Sequence, residues 1–403
     1  MKNKICTGVV LAGLAGMHGA SAADSIGEAL KETKPILNWR VRFEGVDQTG
    51  VTEEADALTS RVRAGFQTGS VGGWSLLGEA VWTEDVVDDF NDTLNGQTQY
   101  PVVADPGGFA TVNRFAFTNK SLENTTLTIG RQRIVLDDAR FVGNVGWRQN
   151  EQTYDGIRAQ IDTEGVNIDL SYITQVNRIF GPDHPAGKWN GDIMLANVSK
   201  TFGIGKLTGF IYSLDIDEAA ALSSSTIGFR FNGSKPIGDG GMSALYTLSY
   251  ADQSDTGNNP ANFSEAYYRI QGGIGIDKFT ISAGIESLGS DGTSRVTMPL
   301  ATLHAFQGWT DKFLATPAAG IDDQFLRFTY NAGEVGIFDS LNVLSVLHDY
   351  ETNVGSTGLG DEFELQVVGR KGPIAVTLKY ASFSADTVFT DTDKFWLMMD
   401  YAF

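Results

Sequence analysis

The chain has almost no cysteine. Cys6 is the one thiol in 403 residues, so disulfide frameworks and thiolate metal sites are excluded for everything that follows it. No uninterrupted apolar run approaches the roughly 18 residues that a membrane-crossing helix needs. Basic residues are scarce, 30 against 49 acidic ones. A net charge of −19 argues against nucleic acid as a partner, because that binding rests on neutralising phosphates. His184, His304 and His348 are scattered, and none stands two residues before a serine as in outer-membrane phospholipases, so neither a zinc cluster nor lipid hydrolysis is expected. Proline is rare, and no Pro-rich or Ser-rich linker divides the chain.

What is present begins with Lys2 and Lys4, an apolar run from Thr7 to Met17, and Ala20-Ser21-Ala22. This reads as a secretory signal peptide over 1–22, followed by a short segment over 23–35 and a single domain over 36–403. Without Lys2 and Lys4, 28 basic residues face 49 acidic ones, a net charge of −21.

Within that domain the dominant pattern is period-2 alternation in stretches of about ten residues. In 36–44, Leu37, Trp39, Val41 and Phe43 share one face, and Asn38, Arg40, Arg42 and Glu44 the other. Eighteen such strands are predicted, from 36–47 to 393–403; those at 73–84 and 206–214 alternate poorly. Connections are short after even-numbered strands (Lys120-Ser121, Glu164-Gly165, Asp277, Gly372-Pro373) and mostly longer after odd-numbered ones, up to 289–323. That asymmetry predicts an all-β fold: one transmembrane antiparallel β-barrel with short periplasmic turns and long extracellular loops, in a bacterial outer membrane. The last strand ends on Tyr401 and Phe403, as in the signal that barrel assembly machinery recognises.

Charge follows the same division. The outer loops 48–56, 85–109, 215–222, 252–263, 351–362 and 385–393 hold nineteen acids and no lysine or arginine, whereas Lys120, Lys200, Lys206, Lys235, Lys278 and Lys371 gather at inner turns. Carboxylate-rich loops suit calcium or magnesium bridging to lipopolysaccharide, although no fixed cation-binding spacing appears and no cofactor is expected. Arg40, Arg42, Arg61, Arg63, Arg114, Arg158, Arg230, Arg269 and Arg327 take the polar parity of their strands, which places them in the lumen with Glu44 and Glu79. A charge facing lipid at mid-bilayer costs about 2–4 kcal/mol. Two readings stand for these arginines: a selector for anions and sugar hydroxyls, or a structural ladder paired with Glu44, Glu79, Asp169 and Glu364.

The third outer loop, 133–151, is dense in charge and aromatics. Asp137-Asp138 resembles a catalytic carboxylate pair, but adjacent side chains point apart and the surrounding arginines favour ionisation of both. Arg133, Asp137, Asp138, Arg140, Trp147 and Arg148 are instead predicted to form an inward, salt-bridged constriction, with the aspartates paired to loop arginines.

Gly130-Arg131-Gln132-Arg133-Ile134, Asp137-Asp138, Arg140-Phe141, Gly143-Asn144, Gly146-Trp147-Arg148-Gln149-Asn150-Glu151-Gln152-Thr153 and Asp155-Gly156 together resemble the alginate export family of outer-membrane barrels. A second block, Pro299 to Phe306 with Gly308-Trp309, Asp311-Lys312-Phe313 and Thr316-Pro317, is similar to a segment of its porin-like members. The resemblance implies an eighteen-stranded barrel, monomeric rather than trimeric, narrowed by infolded loops, with an arginine-rich lumen and no enzymatic activity. The function expected is passive passage of small hydrophilic solutes: sugars, sugar acids or oligosaccharides. The alternatives are a dedicated exporter of an anionic polysaccharide such as alginate, a lipid hydrolase, or a plugged structural or adhesive barrel.

Overall fold

The computed structural model describes residues 25–238 and 240–403; the signal-peptide reading of 1–22 lies outside them. Alternation sorts the side chains first. Along Lys34–Gln48, Leu37 and Trp39 are exposed on the outside while Arg42 and Glu44 are fully buried inside. Eighteen strands repeat the device: β1 (Lys34–Gln48), β2 (Ala55–Gln67), β3 (Trp74–Asp89), β4 (Phe109–Asn119), β5 (Thr125–Gln132), β6 (Thr153–Thr163), β7 (Val166–Asn177), β8 (Lys188–Phe202), β9 (Gly205–Ile216), β10 (Ser224–Ile237), β11 (Met242–Asp255), β12 (Ser264–Ile276), β13 (Phe279–Leu288), β14 (Ile321–Val335), β15 (Phe338–Glu351), β16 (Gly358–Lys371), β17 (Ile374–Ala385) and β18 (Thr392–Ala402).

Each strand pairs antiparallel with its neighbours in sequence, and β1 closes onto β18 with Trp39 opposite Tyr401. Closure leaves no sheet edge, as a strand-built membrane span requires. A short helix, α1 (Ile26–Lys31), capped by Ser25, packs at the inner end where Gly69 N–H donates to Ala29 O.

Phe66, Trp82, Phe117, Met194, Ile211, Leu326 and Leu397 are among the large apolar side chains exposed on the outer surface. In water this area would be an aggregation liability; against acyl chains it is the ordinary exterior of a membrane barrel. Several strands run past their predicted limits, and β14 begins at Ile321 rather than 324. The largest late start is that of β5, at Thr125 rather than 122, because residues 120–124 form a wider turn in which the Asn119 side chain accepts from Ser121 N–H. The Asp277 turn likewise takes two residues, 277 and 278.

β9 alternates poorly because both of its faces are apolar. Phe210, Tyr212, Leu214 and Ile216 point inward and are buried, joining Ile193 and Leu195 of β8 and Val176 of β7. They join Ile134, Leu136 and Val142 from the loop after β5, here L3, and Val296, Met298 and Leu300 from the loop after β13, here L7, in one cluster. A fully buried aliphatic side chain contributes about 1.5–3 kcal/mol, so this contact alone holds L3 inside the barrel firmly.

Candidate functional site

L3 and L7 enter the lumen as one unit. Gly143 N–H donates to Leu300 O at 2.8 Å, and Thr302 N–H to Ala139 O at 3.0 Å. Tyr154, fully buried, donates to Gly143 O at 2.7 Å, and Val145 N–H donates to the Thr302 hydroxyl at 3.1 Å. L3 and L7 therefore lie against each other inside the wall, and the entry of L7 was not disclosed by its length.

On the β17–β18–β1–β2 flank the two loops are locked. Arg40 Nη1 donates to Gly146 O and Trp147 O at 3.1 and 2.9 Å, and Arg42 Nη1 to Trp147 O at 2.8 Å. The Trp147 ring stacks on His304 at 4.6 Å and meets Trp396 edge-on at 5.8 Å. The Lys379 ammonium sits 4.1 Å from the Trp147 centroid and 3.7 Å from that of Trp309, and donates to His304 Nε2 at 2.6 Å. His304 Nδ1 lies 2.7 Å from Asp311. Lys379 occupies Nε2, so the imidazole carries its proton on Nδ1. Burial, with Lys379 beside it, pushes this imidazole down to about 3 against the pull of Asp311.

Asp311 also takes Arg148 at 2.7 Å and Lys394 at 3.1 Å, while Arg42 pairs with Glu44 and with Asp105 of the loop after β3. Although burial opposes its charge, His304, Lys394 and Arg148 hold the Asp311 carboxyl well below the usual range. Glu362 of β16 pins L7 from below, accepting from Trp309 N–H at 2.5 Å and Thr310 N–H at 2.9 Å. Where the exit of L3 rejoins the wall, Glu151 gathers Arg133 at 2.5 Å, Arg63 at 3.4 Å and Asn113 at 2.7 Å. Burial opposes this carboxylate too, yet Arg63 and Arg133 depress its pKa far below normal.

The nine wall arginines all point inward, with Arg114 brought there by a bulge that turns Asn113 inward as well. Arg40 pairs with Asp400 at 2.8 Å, Arg114 with Glu79 at 2.6 Å and Arg158 with Asp169 at 2.5 Å. Much of the ladder is thus internally paired. Glu364, expected to serve an arginine, instead lies 3.8 Å from His348. Arg61 approaches Asp400 at 3.6 Å, and Arg327 keeps a buried Nε without a hydrogen-bond partner.

The loop aspartates depart from expectation. Asp137 and Asp138 do not pair with loop arginines, because those are engaged elsewhere: Arg133 by Glu151, Arg140 by Glu286 at 2.7 Å and Arg148 by Asp311. Asp137 accepts from Asn197 at 2.8 Å and Thr208 at 3.1 Å and pairs with Lys206 at 3.2 Å; Asp138 pairs with Arg230 at 2.6 Å. Arg131, on the outer face, pairs with Asp155 at 2.7 Å.

Exposure varies along the lumen wall. Arg42 and Glu44 are at 0% and 1%, whereas Arg114, Arg158, Arg230 and Asp138 retain 13–18%. Below them, inward-facing Gln160, Asp162, Asn167 and Thr201 are exposed. The inner end of the lumen is therefore open to solvent along β6 to β8. Tyr401 lies at the β1–β18 seam, and Phe403, just past the strand, donates its N–H to Leu37 O at 2.9 Å.

Residues 108–177 match the family described as alginate export, so the resemblance read from 130–156 holds over that segment; the block at 299–317 lies outside it. No curated protein matches the chain. Among solved structures, OpdK of Pseudomonas aeruginosa with vanillate superposes with a TM-score of 0.72 at 15% identity, over 93% of this chain and 99% of that one. OpdO of the same organism gives 0.71 at 13%, over 94% and 98%. A BenF-like porin from Pseudomonas fluorescens Pf-5 gives 0.72 at 13%, over 93% and 99%. This chain has the fold of an outer-membrane porin.

Proposed function

We propose that the protein is a passive outer-membrane channel for small hydrophilic solutes, with sugar acids and related carboxylates preferred over neutral sugars. It has no enzymatic role in this reading. The observation that carries it is the row of partly buried guanidiniums, Arg114, Arg158 and Arg230, each keeping 13–18% of its side chain exposed, beside L3. Fixed cations on one wall of a narrow aqueous path attract anions and hydrogen-bond hydroxyls. The solved OpdK holds vanillate, a carboxylate, in the same fold, which supports an acid as the solute here. Recognition of Tyr401 and Phe403 by the assembly machinery belongs to the same reading.

Purified protein in planar bilayers should conduct, and proteoliposomes should admit glucuronate faster than glucose. Well-folded protein without ion conductance would refute the channel. The alginate export match favours a second reading, passage of a uronate polymer. Two interlocked loops in the lumen weigh against a polymer, and a flux assay with alginate oligomers of graded length separates the two.

A further inference from the structure

The tip of L3 touches the wall at a place unlike the rest of the loop. Arg230 of β10 and Arg269 of β12 both aim at a single carboxylate, Asp138, at 2.6 and 3.8 Å. Among the described residues it is the only carboxylate within salt-bridge reach of either. Beside the pair lies a narrow cleft with room for about one water molecule, walled by Phe141, Phe210, Tyr212 and Tyr267 and reached by Arg140 and Ser249. Three polar atoms here are buried without a hydrogen-bond partner: Arg140 Nη1, Arg269 Nε and Ser249 Oγ. Buried donors without acceptors are rare in a finished structure and mark where a ligand or water belongs.

The backbone that delivers Asp138 is also unusual. Asp137 has φ of +50° and Ala139 of +65°. Both residues carry a Cβ that disfavours the left-handed region, and Ala139 has no polar side chain to compensate. The conformation persists because Asp138 is held by Arg230 and Asp137 by Asn197, Thr208 and Lys206. The segment is constrained by these contacts and tends to relax once they break.

We propose that Arg230, Arg269 and Arg140 form an anion-binding site in which Asp138 is a tethered stand-in for the solute. A carboxylate entering along the arginine row displaces Asp138, takes its place between Arg230 and Arg269, and lets residues 137–139 relax away from the wall. The site's natural occupant is a small carboxylate, whose carboxyl group takes the space that Asp138 vacates. The tethered carboxylate raises the concentration of solute needed for occupancy and keeps the site from trapping what it admits. A conduction site must bind strongly enough to fill and weakly enough to empty. This inference rests on the channel reading above.

The test uses the full barrel in planar bilayers, with heat-dependent gel migration confirming that each variant is folded. Asp138→Asn should raise the chloride-to-potassium permeability ratio about fivefold, the effect of one unit charge at about 4 Å in water, and should lower the glucuronate concentration that half-blocks chloride current by a similar factor. Asp138→Glu should restore wild-type behaviour. In an Arg230→Gln background, the gain from Asp138→Asn should largely vanish, since it acts through that guanidinium. Conductance with selectivity and block unchanged in Asp138→Asn would overturn the proposal and leave the channel standing. So would a gain of the same size in the Arg230→Gln background, which is what a mere surface charge would give. Absence of conductance in every form would remove both readings together.

Discussion

The two flanks of L3 are built from the same residue types and behave oppositely. On the β17 to β2 side, Arg148, Asp311, Glu44, Asp105, Lys394 and Lys379 interlock among tryptophans, each charge facing several partners and almost none reaching water. On the β8 to β12 side, one aspartate spans two guanidiniums, and solvent touches all three. A buried charge network is costly to break because each partner lost strands another charge, whereas a solvated pair exchanges readily with ions from water. The loop is thus hinged by design of its contacts: fixed at Trp147 and displaceable at Asp138.

The comparison can be broken experimentally. Deleting 133–151 removes both flanks, and single-channel conductance should rise about threefold or more as the constriction is lost. An unchanged value would place the limiting gap on L7 alone. Arg148→Ala should cost about 3–5 kcal/mol, because Asp311, Glu44 and Asp105 lose a shared cation in a dry site. Hydrogen exchange should show L3 and L7 amides losing protection together. Equal losses from Arg230→Ala, whose solvated pair should cost below about 1 kcal/mol, would erase the distinction between flanks.

Gly308→Ala should fall between these, at about 1–3 kcal/mol. Gly308 has φ of +89°, and a Cβ there would lie 2.3 Å from Glu362 Oε2, in the contact that pins L7. Thermal melts in detergent would register it. The smallest effect expected is that of pH on the locked flank. The His304 imidazole is lowered from 6.5 to about 3, so its stabilisation is complete above 6.5 and drains as pH falls toward 3. Asp311 and Glu151, also depressed, stabilise above the ordinary carboxylate range and lose that contribution below it. All three have one sign: proteolysis of L7 should accelerate in acid, and acceleration in alkali instead would contradict the assignment.

Most of the wall was legible in the sequence, because the inside of a barrel and its lipid face differ at every second residue, and Leu37, Trp39, Arg40 and Arg42 already declare the register. Loop 133–151 declared itself through charge density. The partners of its charges did not, since Asp138 and Arg230 are separated by ninety-two positions and no periodicity links them. His304 and Lys379 were illegible for the same reason: each looks ordinary until closure of the barrel stacks them on Trp147. The poor alternation of 206–214 was the one advance sign of the infolded core, an inner face made apolar because protein rather than water lies against it.

That apolar inner face bears on how the molecule comes into being. A hollow precursor would expose Phe210, Leu214, Ile193 and Leu195 to the water of its own bore, so pipe first and stopper second is an unfavourable order. L3 and L7 are thus part of the same hydrophobic unit as β7 to β9, and the inner face of that wall is complete only with the loops against it.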